Sequence, residues 1–259
     1  MLGSLRGVQP IVANLADRPD LAQLMWSVED LWPMFMQEDP ISSLYYSRAE
    51  TTFARYTMVA YDPAEPSRPV ARSCSVPFAL GDDVGRPDLP DDGWDGVIRW
   101  AWIDELVGRP PTHVSALEVA IHPDLRGTGL APVMLEAMRA NVRSLGFDDL
   151  VAPVRPSRKA EEPHCSISDY AFRTRPDGLP KDPWLRVHVR AGGRIVGVCP
   201  RAMTISGSLD EWRSWTGLPF DQTGDVVVPF ALNPIHCSVE HDHAVYVEPG
   251  VWVHHDLRG

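Results

Sequence analysis

Six consecutive residues in the middle of the chain, Arg126-Gly127-Thr128-Gly129-Leu130-Ala131, join a cation and two glycines to the start of a helical pattern. The chemistry this combination suits is anion binding. The first backbone N–H groups of a helix have no partner inside the helix. They and the positive end of the helix dipole favour a phosphate or pyrophosphate. Gly127 and Gly129 let the chain bend sharply and leave no Cβ between backbone and ligand. On the glycines alone, a plain strand–turn–helix in which they serve only packing is the better reading.

Two elements must position this loop. Before it, Leu117-Glu118-Val119-Ala120-Ile121-His122-Pro123 is an apolar, strand-like run. After it, Leu130, Met134, Met138 and Val142 recur at four-residue spacing, with Leu145 three further on, which predicts an amphipathic helix. Pro132 falls in its first turn, where a missing N–H costs nothing. Arg139 and Arg143 lie toward its C-terminal end, where cations suit the dipole.

The whole pattern is more specific than its glycines. It resembles the acyl-CoA-binding signature of the GNAT superfamily of N-acetyltransferases, Arg/Gln-x-x-Gly-x-Gly/Ala, with Arg126, Gly129 and Ala131 at the fixed positions. The resemblance implies a mixed α/β fold whose mostly antiparallel central sheet, flanked by helices, splays into a V at the end of the Leu117–Ile121 strand. It also implies that Val119 and Ile121 offer backbone groups to a pantetheine arm. Arg126, Gly127, Thr128, Gly129, Leu130 and Ala131 would then wrap the pyrophosphate of coenzyme A.

Composition is compatible with this. The chain has 259 residues, 44% hydrophobic and 23% charged, as in an ordinary globular protein. A net charge of −11 disfavours nucleic acid and anionic membranes as partners. No run of about 18 apolar residues could span a bilayer, and MLGSLRGVQP lacks the apolar core of a secretion signal. Cys74, Cys165, Cys199 and Cys237 form no C-x-x-C pair and read as reduced thiols of a cytoplasmic protein.

Along the chain, Val8–Leu15 reads as a strand and Ala16–Met36 as a helix, with Leu21, Leu24, Met25, Val28, Leu31 and Trp32 on one side. A short helix is expected at Ser42–Arg48, and strands at Thr51–Tyr61 and Val70–Leu80. The acidic stretch 81–96 reads as a loop insertion, with a short helix at Val97–Val107. Asp149–Val154 is the next expected strand. The Trp184 segment reads as a helix, and Ile195–Val198, Met203–Ile205, Val226–Pro229 and Ala244–Val247 as strands. The expectation is one domain over residues 1–259, with an extended C-terminal part from 155.

Between Val154 and Gly217, and again around Tyr246–Trp252, the chain resembles one branch of that superfamily: the GNAT-like loading domains of polyketide synthases, which are decarboxylases and S-acyltransferases of malonyl thioesters. The branch lines its acyl site with a Thr, a His, an Arg and an N-terminal Trp. The resemblance carries these roles to Ser157, His188, Arg201 and Trp32, with Ser keeping the hydroxyl of Thr. A His N–H and a Ser hydroxyl can donate to the enolate oxygen left by loss of CO₂. His can return a proton to the carbanion, Trp32 can exclude water from the carboxylate, and Arg201 can anchor a carboxylate or a phosphate. Each also has a plain structural role open to it: Trp32 a core aromatic, His188 a satisfied buried histidine, Arg201 a surface ion-pair partner, Ser157 a helix cap.

Three functions therefore compete. One is a loading-type enzyme acting on malonyl-CoA or a related thioester by decarboxylation, by acyl transfer to a carrier protein, or both. The second is an N-acetyltransferase moving acetyl from acetyl-CoA to a small amine, with Glu118 as general base. The third is a degenerate acyl-CoA binder, which the intact loop disfavours. His241, His243, His254 and His255 raise a metal site, but SVEHDH is acidic and turn-like and lacks ligand spacing, so no metal is expected.

Overall fold

The computed structural model describes residues 10–28 and 32–258. Among these residues nine strands form one sheet: β1 (Ile11–Asn14), β2 (Thr57–Asp62), β3 (Glu65–Phe78), β4 (His113–Ile121), β5 (Asp149–Val154), β6 (Arg194–Gly207), β7 (Gly224–Val226), β8 (Ile235–Ser238) and β9 (His243–Asp256). The order is β1-β2-β3-β4-β5-β9-β8-β7, with β6 along β9. All pairs are antiparallel except β4–β5. The flanking helices are α1 (Ala22–Trp26), α2 (Met34–Gln37), α3 (Ser42–Tyr46), α4 (Gly93–Leu106), α5 (Leu130–Ser144), α6 (Ile167–Ala171), α7 (Pro183–Arg190) and α8 (Leu209–Thr216). This is the mixed, mostly antiparallel α/β fold expected from the sequence.

The sheet is interrupted at two places. Strands β4 and β5 pair only at Val114↔Leu150 and Ser115↔Val151. They part at Ala116, before Leu117, so the V opens near the middle of β4 rather than at its end. The physical reason is a bulge. Cys74 faces Glu118 while Ser75 faces Ala116, which leaves Leu117 as the extra residue. Bulges bend a strand and increase its twist. The Leu117 carbonyl accepts instead from Trp94 Nε1, at 3.1 Å. The second gap is on β9. One edge takes β6 along nearly its whole length, while the other takes β8 up to Val245 and β5 from Val251. Residues 246–250 lie between those two partners.

Helix α5 buries Met134, Leu135, Met138 and Val142 against the sheet, the face its spacing predicts. The helix expected over 16–36 is instead a 3₁₀ turn followed by the short α1, which ends at Trp26, and α2, which starts directly after Pro33. Val8 and Leu31, named in those expectations, lie outside the described residues. The stretch 81–96 is shorter as a loop than its composition suggests. Gly81 and Arg86 bond each other's backbone at 2.8 and 2.9 Å, and Arg86 pairs with buried Asp104 at 2.8 Å. Helix α4 then starts at Gly93, where a Cβ would meet Ala202 and the Cys199 sulfur at 2.8–2.9 Å. No helix among the described residues is long and apolar enough to cross a membrane.

Candidate active site

The two gaps in the sheet open into a single cleft of about 860 Å³. One wall is Arg72 of β3 with Ala116 to Val119 of β4. The other is Ala152 to Arg155 with Glu248 to Gly250. Ala131 and Leu135 of α5 lie at one end, and Trp26, Trp32, Tyr46, Trp94 and Trp184 add aromatic surface.

At the Ala131 end, Gly129 caps α5 with φ +90° and Gly127 has φ +78°, both in the left-handed region. A Cβ built on either would point into open space, so backbone conformation rather than packing selects glycine here. Among the described residues, the N–H groups of Gly127 and Gly129 donate to no protein acceptor. Arg126 is exposed and outside every ion pair among the described residues. Thr128 is also exposed, with Oγ1 bonded to the Leu125 carbonyl at 2.6 Å. Val119 and Ile121 lie on the part of β4 that β5 does not cover.

On the β4 wall, Glu118 is buried and holds several donors. Oε1 accepts from Trp32 Nε1 at 2.8 Å and Arg72 Nη2 at 3.1 Å. Oε2 accepts from Arg72 Nε at 2.9 Å and Tyr46 OH at 3.2 Å. With the lone pairs so engaged, Glu118 suits a fixed negative charge better than a general base. Trp32, expected beside an acyl carboxylate, does line the cleft, and its N–H, with the Tyr46 hydroxyl, ties the N-terminal segment to β4.

On the far wall, α7 begins at Asp182, which accepts from Trp184 N and Leu185 N at 2.9 and 3.1 Å, with Pro183 in its first turn. Trp184 and His188 then fall one turn apart on the cleft side, their rings 4.6 Å apart edge to face. Asp182 also accepts from Arg158 N at 3.0 Å and Tyr170 OH at 3.0 Å, and lies 3.5 Å from Ser157 Oγ. One buried carboxylate therefore positions both expected residues, Ser157 and His188, and both line the cleft.

His188 is buried, and its Nδ1 is 3.0 Å from Nε2 of the fully buried His255. Burial pushes the His188 pKa down to about 3, with the neighbouring His255 adding to the effect, and burial pushes that of His255 down to about 4. Both rings are neutral at ordinary pH. His255 Nδ1 has no hydrogen-bond partner among the described residues. A buried lone pair without a partner is cheaper than a buried N–H without one. In one arrangement of the pair His255 Nε2–H donates to His188 Nδ1. His188 Nε2 is then an N–H donor.

Arg201 is not in this arrangement. It is exposed, pairs with Asp91 at 3.4 Å, and is absent from the cleft lining, so its expected anchoring role goes to no atom of the site. The strand β6 turns it outward while Ala202 and Met203 face in. The cation that does line this wall is Arg155, whose Nε lies 3.1 and 3.0 Å from the two oxygens of buried Glu248. Glu248 also accepts from Tyr246 OH at 2.7 Å. Sequence reasoning missed this pair, because its members are 93 residues apart. The other histidines are dispersed. His254 bonds Asp149 at 2.6 Å, and His241 and His243 are exposed beside the start of β9. Among the described residues, no three His, Cys, Asp or Glu side chains converge as a metal would require.

No family model matches the chain. A curated relative, the arginine N-acetyltransferase avaD of Aspergillus versicolor, is 31% identical over 272 residues, covering 94% of this chain and 92% of that protein. Among solved structures, the loading GNATL domain of CurA from Lyngbya majuscula superposes with a TM-score of 0.60 at 17% identity, over 96% of this chain and 98% of its own. The GphF GNAT-like decarboxylase in complex with isobutyryl-CoA gives 0.52 at 19% identity, over 96% and 100%. At these identities the two structures share the fold.

Proposed function

The chain belongs to the GNAT superfamily, and from that premise we propose that it is an acetyl-CoA-dependent N-acyltransferase whose acceptor is a small cationic amino acid of the arginine type. The observation that carries this reading is the acyl end of the cleft, where indole and phenol rings surround two buried carboxylates, Glu118 and Glu248. Both carboxylates are already paired with arginines, so it is the aromatic faces that recognise a cation. The curated relative, similar over nearly its whole length, acts on arginine.

Residues 1–259 serve as one acyl-CoA-binding domain in this proposal. Coenzyme A lies with its pyrophosphate at Arg126 to Ala131 and its pantetheine arm along the uncovered edge of β4, like an added strand. The acceptor nitrogen attacks the thioester carbonyl carbon. The C–S bond breaks, the amine loses a proton, and the thiolate of coenzyme A gains one. His188 Nε2–H donates to the thioester oxygen as negative charge develops there, with His255 holding the ring. Ser157 is a second hydroxyl on the same wall, and Trp32 closes the cleft between Glu118 and Arg155.

A second reading, decarboxylation of a malonyl thioester with transfer to a carrier thiol, is favoured by the presence of His188 and Ser157 together in the cleft. It requires the same donor, aimed at an enolate oxygen. The solvent-facing position of Arg201 weighs against it. Product analysis with acetyl-CoA and arginine, against malonyl-CoA alone, separates the two.

A further inference from the structure

Two arginines line the cleft, and they differ in what they have left to offer. Arg72 spends all three nitrogens: Nε and Nη2 on Glu118, and Nη1 on the Met25 carbonyl at 3.1 Å. Arg155 spends Nε on Glu248 and Nη2 on the Phe230 carbonyl, and among the described residues its Nη1 has no acceptor. The guanidinium carbon lies 5.9 Å from the Trp32 ring centroid, and the side chain, mostly buried, lines the cleft.

A guanidinium fixed by a carboxylate on one edge and a carbonyl on another cannot swing away, and its remaining N–H groups keep a constant direction. Such a donor suits a planar anion. Glu248 neutralises the ion pair, so the site attracts a carboxylate through directed hydrogen bonds more than through net charge. The bond between Glu248 and Tyr246 holds the acid in place from behind.

We infer that Arg155 is the specificity-determining residue that binds the acceptor's carboxylate through Nη1, restricting the enzyme to amino acids over the corresponding carboxylate-free amines. This rests on the amino-acid acceptor proposed above. The probe is L-argininamide, which keeps the amine and the guanidinium of L-arginine and lacks only the carboxylate charge.

The test is calorimetric titration of each compound into protein saturated with coenzyme A, which reads the preference without turnover. The wild-type protein is expected to bind arginine about 10- to 100-fold more tightly than the amide, the range one charge-assisted hydrogen bond supports. Arg155→Gln should bring the two to near equality, and Arg155→Lys should keep part of the preference. Should Arg155→Gln fail to fold, Glu248→Gln supplies the opposite test: removing the competing carboxylate should widen the preference. Equal affinities in the wild-type protein, a preference that survives in Arg155→Gln, or one that narrows in Glu248→Gln overturns the assignment. If the preference behaves as expected but acetyl-CoA yields no acetylated amine, the carboxylate site stands and N-acyl transfer falls. If neither compound binds, both fall.

Discussion

His188 is a histidine whose titration burial has removed from the physiological range, with a pKa of about 3. In the proposed mechanism it serves as a neutral donor and not as a proton acceptor, which fixes what its loss should look like. His188→Ala is expected to lower kcat by about 10²- to 10³-fold, the usual effect of removing one donor to a developing oxyanion. The KM for acetyl-CoA should hardly change, because the contact strengthens in the transition state. The wild-type kcat should show no acid limb near pH 6.5, since no ionisation of His188 occurs there. A limb near 6.5 that vanishes in the variant would contradict this assignment. The sequence offered His188 only through a family likeness. Its partner His255 lies 67 residues away and, in the sequence, belonged to a cluster considered for metal binding. Spacing along a chain does not report contacts across a sheet, so neither that pair nor the donors gathered on Glu118 could be read beforehand.

At the scale of elements, the strand–loop–helix from Leu117 to Leu145 was the most legible part of the molecule. Its hydrophobic period is set locally, and its glycines answer a backbone demand rather than a packing one. Gly129→Val places a β-branched residue at φ +90° with its side chain in the open space where the proposed pyrophosphate would lie. Stability should drop by about 1–2 kcal/mol from the left-handed backbone, and acetyl-CoA affinity by at least about tenfold. Unchanged affinity by calorimetry would remove coenzyme A from this loop. The helix–loop boundary at Gly93 was not legible, because α4 begins where the chain packs onto β6, a tertiary constraint.

The same junction holds two buried acids. Asp39 accepts from Ile41 N at 2.6 Å, and Asp95 accepts from Thr204 N at 3.1 Å. The remaining oxygens, Asp39 Oδ2 and Asp95 Oδ1, are buried and have no hydrogen-bond partner among the described residues. Burial, and then the adjacent Asp39, raises the Asp95 pKa from 3.8 to about 9. The folded protein therefore keeps a proton that the unfolded chain releases above about pH 4. The stability this group contributes is present at low pH and is lost as pH rises toward 9. Asp95→Asn mimics the protonated acid. It should be more stable than wild type at pH 8, on the order of 2 kcal/mol in urea unfolding, with the difference gone near pH 4. A variant less stable than wild type at pH 8 would show that the pair carries no shared proton.

For the whole molecule, the nine-stranded sheet of the described residues, its two gaps and the cleft they open form the frame on which the functional reading depends. The fold class was readable because a local signature implied a family. The location of the V was not, since it follows from a bulge set by the register between β3 and β4. The most direct measurement is mass spectrometry of the products after incubation of the protein with acetyl-CoA and L-arginine, beside malonyl-CoA without acceptor. The account predicts acetylated arginine with stoichiometric release of free coenzyme A, and intact malonyl-CoA. Conversion of malonyl-CoA to acetyl-CoA with arginine left unmodified would contradict it.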